Sequence, residues 1–145
     1  SLGLEDLLSY LPSGAKFFNL QISLTEQQEK RLAANQIVNF AEGLSTLTGT
    51  AAICARLDGV IAVDTSLCHL AGSLGIPTFL LLSLASDWRW GKSTDRTVWY
   101  NNTKLFKQTS RGEWNAPLKS LKETLERDII SPFYAGADAG RFLGK

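Results

Sequence analysis

Residues 57–83, LDGVIAVDTSLCHLAGSLGIPTFLLLS, constrain the fold more than any other part of the chain. They predict strand, tight loop, helix and strand in succession. GVIAV at 59–63 is a short apolar, β-branched run of the kind buried in a parallel sheet. Asp64, Thr65 and Ser66 interrupt it with side chains that favour helix N-caps. Leu67, Leu70, Ala71 and Leu74 then recur at helical spacing, Gly75 closes the helix, and Pro77 follows. PTFLLL at 77–82 is a second buried strand. A strand entering a helix through Asp-Thr-Ser presents backbone N–H groups and hydroxyls at the positive end of the helix dipole. That geometry suits a phosphate or another anion. Plain capping is the competing account of Thr65 and Ser66. His69, the single histidine, falls in the first helical turn near the anion position, where a packed, hydrogen-bonded ring is its structural alternative.

With 145 residues and 44% hydrophobic content, the chain can bury one core. It is read as one domain over residues 1–131 and a tail at 132–145. Fifteen basic and fourteen acidic residues give a net charge of +1, so no electrostatic case exists for nucleic acid or an anionic membrane. The longest apolar run, around 76–82, is too short to span a bilayer. No basic-plus-apolar leader is visible, and a cytoplasmic location is expected. Cys54 and Cys68 lie within apolar helical patterns and are expected as buried free thiols, not a disulfide or metal pair. One histidine and two dispersed cysteines argue against a zinc site. The absence of methionine suggests a processed, engineered or fragmentary product, with Ser1 a cloning remnant.

Elsewhere, Leu4, Leu7, Leu8 and Leu11 predict a helix ending before Pro12, and Ser13-Gly14 a turn. Residues 17–22 read as a strand with Gln21 at its C-terminal end, where open α/β sheets bind ligands; a solvent-exposed strand end is the alternative. Residues 25–35 are helix-prone with Thr25 as cap, and 37–40 form a short strand. A loop is expected over 42–50 and a helix over 50–57. Residues 85–102 hold Trp88, Trp90, Trp99 and Tyr100 interleaved with Asp87, Arg89, Lys92, Asp95 and Arg96. This is either a stacking surface for a base or sugar or a loop pinned by large rings. Arg89 is placed to pair with Asp87 or to reach a phosphate. Residues 104–108 read as the last strand. Residues 116–130 read as an amphipathic helix with a Glu123/Arg127 pair at i, i+4, ended by Pro132. The tail has no periodicity; it is either a disordered end or a docking segment through Phe133, Tyr134 and Phe142.

VDTSLCHLAGSLGIPTFLLL, with DWRW at 87–90, WY at 99–100, FFNLQ at 17–21 and KLFKQ at 104–108, resembles the C-terminal part of heptosyltransferase-like glycosyltransferases. The likeness is greatest to the version at the end of bacterial tetratricopeptide-repeat proteins, and it covers about residues 4–125. No internal repeat is present in this chain. The resemblance implies part of a GT-B glycosyltransferase, whose C-terminal Rossmann-like domain holds the nucleotide-sugar donor. Carried over by position, its donor loop points to Asp64, Thr65, Ser66 and His69; Gln21 and Arg89, singled out above from the strand end and from reach to a phosphate, complete the expected nucleotide-sugar site. Thr48 and Thr50 would lie near the nucleotide, unless they serve as caps. Ser66 stands where the heptosyltransferase pattern has glycine, which narrows the approach to phosphate.

The alternation of helices and strands predicts an α/β fold, a three-layer sandwich with a mostly parallel sheet of four or five strands. The resemblance makes it Rossmann-like and suggests that the first strand and glycine-containing loop of that domain are missing. It implies sugar transfer from a nucleotide-diphosphate sugar without a bound metal or cofactor, the catalytic base coming from an N-terminal domain that is absent. The chain alone is therefore expected to be catalytically incompetent. The second reading is a non-catalytic interaction or dimerisation module of the same fold. A generic nucleotide-binding α/β domain is a third, disfavoured by the lack of a GxGxxG or GK[ST] string.

Overall fold

A computed structural model describes residues 2–85, 90–91, 96–97 and 99–132. In chain order the elements are α1 (Leu4–Tyr10), β1 (Phe18–Asn19), α2 (Glu26–Ala34), β2 (Val38–Asn39) and a 3-10 helix (Ala41–Leu44). They continue with α3 (Leu47–Cys54), β3 (Val60–Val63), α4 (Ser66–Ser73), β4 (Thr78–Leu82), β5 (Thr103–Lys107) and α5 (Asn115–Leu125). A π-helical turn, Glu126–Ile130, extends α5.

The apolar run at the end of the 57–83 segment becomes the middle strand of a sheet ordered β3-β4-β5. All five residues of β4 are buried. Both of its pairings are parallel, with Leu80 opposite Ala62 on one side and Leu105 on the other. Alternation along the strands feeds two cores. Val60, Ala62, Leu80, Leu82 and Leu105 pack with Cys54, Cys68 and Ala71 from α3 and α4. Phe79, Leu81 and Phe106 pack with Leu118, Leu121 and Leu125 of α5, and Leu7 of α1 joins them. Helices therefore cover both faces, in the three layers that a parallel sheet requires. Burial of Phe79, Leu80, Leu81 and Leu82 contributes roughly 6–12 kcal/mol of transfer free energy, before conformational entropy is set against it. The chain is thus α/β with parallel sheets, in keeping with a Rossmann-like arrangement.

Several elements depart from their sequence signals. The strand expected over 17–22 is reduced to Phe18–Asn19, and with β2 it forms a separate two-stranded parallel sheet. The five strands among the described residues are thus divided between two sheets. Helix α3 begins three residues before Thr50, because Thr46 accepts a 2.9 Å hydrogen bond from the Gly49 N–H and caps it. Arg127 pairs not with Glu123 but with its neighbour Asp128 (Nε–Oδ1 2.8 Å), which also accepts from Lys104 of β5. Helical backbone runs on through residue 132 instead of stopping before Pro132. The π turn just before it changes the carbonyl register that a proline ring would otherwise strike. The tail at 133–145 lies outside the described residues.

Other signals hold. Gly75 adopts φ +73° just past α4, the left-handed turn that glycine takes at a helix end. Thr25 caps α2 in a full capping box with Gln28.

Candidate functional site

The loop that leaves β3 is open to solvent: Asp64, Thr65 and Ser66 are all exposed. Thr65 occupies the N-cap position of α4 in extended conformation, but its hydroxyl does not cap the helix. It donates instead to the Val63 carbonyl at 3.3 Å. The first-turn amides of α4 therefore have no Thr65 cap, and they carry the positive end of the helix dipole. Below the loop the Cys68 thiol donates to the Thr65 carbonyl at 2.9 Å, pinning its backbone to the helix.

His69 turns to a different set of partners. Its ring stacks on Trp90, with centroids 5.1 Å apart and 22° between planes, and Nδ1 lies 3.1 Å from the Tyr100 phenol oxygen. The Tyr100 ring meets the imidazole edge-on at 6.0 Å. Trp90 is 1% exposed and belongs to the core. Trp99 is 59% exposed. Tyr100 approaches because residue 72 is glycine: a Cβ there would stand 2.8 Å from the tyrosine ring. The imidazole is thus packed and hydrogen-bonded, and His69 does not line the cleft beside the loop.

That cleft, about 760 Å³, opens between β1 and β3 and is lined by Gln21, Thr65 and Ser66 among other residues. β1 steps outward to β2 on one side, while β3 steps outward through β4 to β5 on the other. Strand order thus reverses across the cleft, and such switch points are where open α/β sheets hold ligands. Gln21 lies two residues beyond β1, exposed and fixed in a local turn. Its N–H donates to Asn19 Oδ1 (3.1 Å) and its Nε2 donates to the Ser23 carbonyl (2.9 Å). Arg89, Asp87 and Trp88 lie outside the described residues. Of the six residues predicted for the site, the structure gathers Gln21, Thr65 and Ser66 at one cleft, with Asp64 beside them in the loop.

The donor atoms of Asp64, Cys68 and His69 lie within 4.8 Å of one another, a grouping that the one-dimensional spacing did not suggest. Burial is the largest influence on the Cys68 thiol and raises its pKa; hydrogen bonding with the Thr65 backbone lowers it in part, and the Asp64 carboxylate adds a lesser rise. The protonated thiol already has an acceptor. This chemistry favours a structural cysteine over a metal-bound thiolate.

Thr48 and Thr50 both fall inside α3. Thr50 donates to the Thr46 carbonyl at 3.0 Å, and the cap is Thr46 itself. Two further residues of the region were not marked by the sequence. Asn19 ties the Gln21 turn to β2 by donating to the Gln21 carbonyl (2.8 Å) and to Asn39 (3.0 Å). Gly72 makes room for Tyr100; only its place on a helix interior, where glycine is unfavourable, could have drawn notice.

The chain is 32% identical over 124 residues to Protein FlbA of Caulobacter vibrioides, a match covering 81% of this chain and 20% of that protein. It therefore spans about a fifth of the length of the curated relative it matches. No protein-family model and no solved structure matches it. No helix among the described residues is long and apolar enough to cross a membrane.

Proposed function

We propose that this chain is the nucleotide-sugar donor-binding part of a glycosyltransferase, unable to transfer sugar by itself. The observation that carries this reading is the loop after β3. Asp64, Thr65 and Ser66 stand exposed at a strand end, at a helix N-terminus that Thr65 leaves uncapped, beside a cleft at a switch in strand order. The α4 amides and the hydroxyls of Thr65 and Ser66 would receive the donor diphosphate. Asp64 and Gln21 would hydrogen-bond the sugar or ribose. His69 would act from behind, its ring fixed by Trp90 and Tyr100, as a group that positions the helix.

The test is an NMR titration of the chain with UDP-, GDP- and ADP-sugars. Saturable shifts of the Ser66 and Leu67 amides with one nucleotide, lost in Asp64→Ala, are expected. Silence of those amides at millimolar donor would overturn the proposal.

A second reading is a non-catalytic interaction module of the same fold. It is favoured by the exposed apolar edge at Val63, which is 43% exposed beside a fully buried neighbouring strand. Donor silence combined with self-association would support it.

A further inference from the structure

A second cleft, about 470 Å³, opens at the other edge of the three-stranded sheet, between β5 and α5. It shares no lining residue with the cleft beside the Asp64 loop. Arg96, Lys104, Lys107 and Arg127 line it, and among the described residues no carboxylate does. Basic and acidic residues are balanced over the chain, fifteen against fourteen, so four cations at one cavity are a segregation of charge.

The backbone enforces this gathering. Arg96 faces Lys104 across an antiparallel bridge on the outer edge of β5. Directly opposed residues share a face of the sheet, and like charges placed so are destabilising. From the helical side, Ser120, Thr124 and Arg127 reach the same cavity at helical spacing. Three of the cations are fixed in place with donors left over. Lys104 and Arg127 both bond Asp128, the arginine through Nε at 2.8 Å. Lys107 donates to the Gly91 carbonyl at 2.7 Å. Each ammonium spends one of its three donors in this way, and the guanidinium reaches Asp128 with only Nε and Nη2. Asp128 and Glu123 are the acids that act on Arg127, so positive charge stays in excess, four against two. Buried Leu105, Phe106 and Pro117 supply apolar walls. A cleft lined by one sign of charge over low-dielectric walls focuses its field on an incoming counter-ion.

We propose that this cleft binds a small anion carrying a phosphate or diphosphate group, at a site separate from the donor loop. The phosphate oxygens accept from Lys104, Lys107 and Arg127, with Arg96 on the facing side of the bridge. The exposed Ser120 hydroxyl donates from the helix. Thr124 is not a donor to the ligand, because its hydroxyl is spent on the Ser120 carbonyl at 2.8 Å. The ligand's charge relieves the opposition of Arg96 and Lys104. With a helix on one wall and a strand edge on the other, the cavity fits a compact anion better than the plane of a membrane.

The test is an NMR titration of the 145-residue chain with sodium pyrophosphate at constant ionic strength. Saturable shifts are expected at the amides of Lys104, Ser120 and Arg127. Affinity should fall about tenfold in Arg127→Gln and, independently, in Lys107→Gln. Lys30→Gln removes the same charge from exposed α2, outside the cleft, and should leave affinity within about twofold. No saturable shift at millimolar pyrophosphate, or equal weakening by Lys30→Gln, would overturn the proposal. Binding to vesicles of equal phosphatidylglycerol and phosphatidylcholine, with no shift from pyrophosphate, would assign the cations to lipid headgroups and overturn it as well. Donor binding is read at Ser66 and Leu67, so the two proposals fail separately.

Discussion

The phenol oxygen of Tyr100 lies 3.1 Å from Nδ1 of His69, and the tyrosine ring occupies the place that a Cβ on residue 72 would need. One glycine in α4 thereby lets a residue from the segment before β5 lock the imidazole that follows the candidate loop. Trp90 closes the other face of that imidazole. The orientation of α4, and with it the direction of its N-terminal amides, is held by this aromatic packing more than by any cap.

Gly72→Ala should therefore destabilise the chain despite the better helix propensity of alanine. The propensity gain is about 1 kcal/mol, while overpacking against a core ring costs about 1–3 kcal/mol. A net loss near 1 kcal/mol in urea unfolding is expected, with displaced ring signals for His69. Unchanged ring signals would show that Tyr100 does not set the position of His69.

Asp128 gives the fold an acid-sensitive tie. The hydrogen bond from Arg127, and then that from Lys104, hold its carboxyl at about 2, below the ordinary 3.8. A depressed carboxylate pKa contributes stability that is fully present above the unfolded value and is lost as pH falls through the folded one. The loss should thus fall between about pH 4 and pH 2. With about a third of the Lys104 and Asp128 side chains exposed, Lys104→Met should cost only about 0.5–1 kcal/mol at neutral pH. Its urea midpoint should also depend less on pH across the acid window. A parallel shift at all pH values would mean that Lys104 contributes through packing alone.

Much of this fold was legible because the signals were local. The β3–α4–β4 unit follows from an apolar β-branched run, helical spacing and Gly75, each decided within a few residues. α3 was misplaced because residues 42–50 read as a Gly/Ser/Thr loop, although the same threonines supply a cap and the first turn of a helix. The division into two sheets was not legible, since strand pairing depends on which edges meet in space. The partners of His69 lie 21 and 31 residues away, beyond any periodicity argument. Composition marked Trp90 and Tyr100 only as aromatic, and it took the structure to show that Trp90 is a core side chain.

Both thiols should be inert in the folded chain. Cys54 and Cys68 are each 0% exposed, and burial raises the pKa of both. Only the thiolate attacks a disulfide reagent. Reaction with Ellman's reagent at neutral pH should be slower than in urea by about a hundredfold or more, as it must await opening of the structure. Fast reaction of Cys68 alone would show that the loop and first turn of α4 open independently of the sheet.

The threonines of the 46–50 segment separate cap from bystander. The Thr46 hydroxyl accepts from the Gly49 N–H at 2.9 Å, whereas Thr48 is exposed in the first turn. Loss of a cap costs about 1 kcal/mol, and an exposed Thr→Ala change inside a helix is neutral or slightly favourable. Thr46→Ala should therefore lower stability by about 1 kcal/mol, close to the effect of Thr25→Ala on the capping box of α2. Thr48→Ala should leave it within about 0.5 kcal/mol of the parent. Urea unfolding of the three variants checks the order. If nucleotide-sugar titration shifts are retained in Thr48→Ala, the residue is a bystander to binding as well; a donor contact there would weaken them.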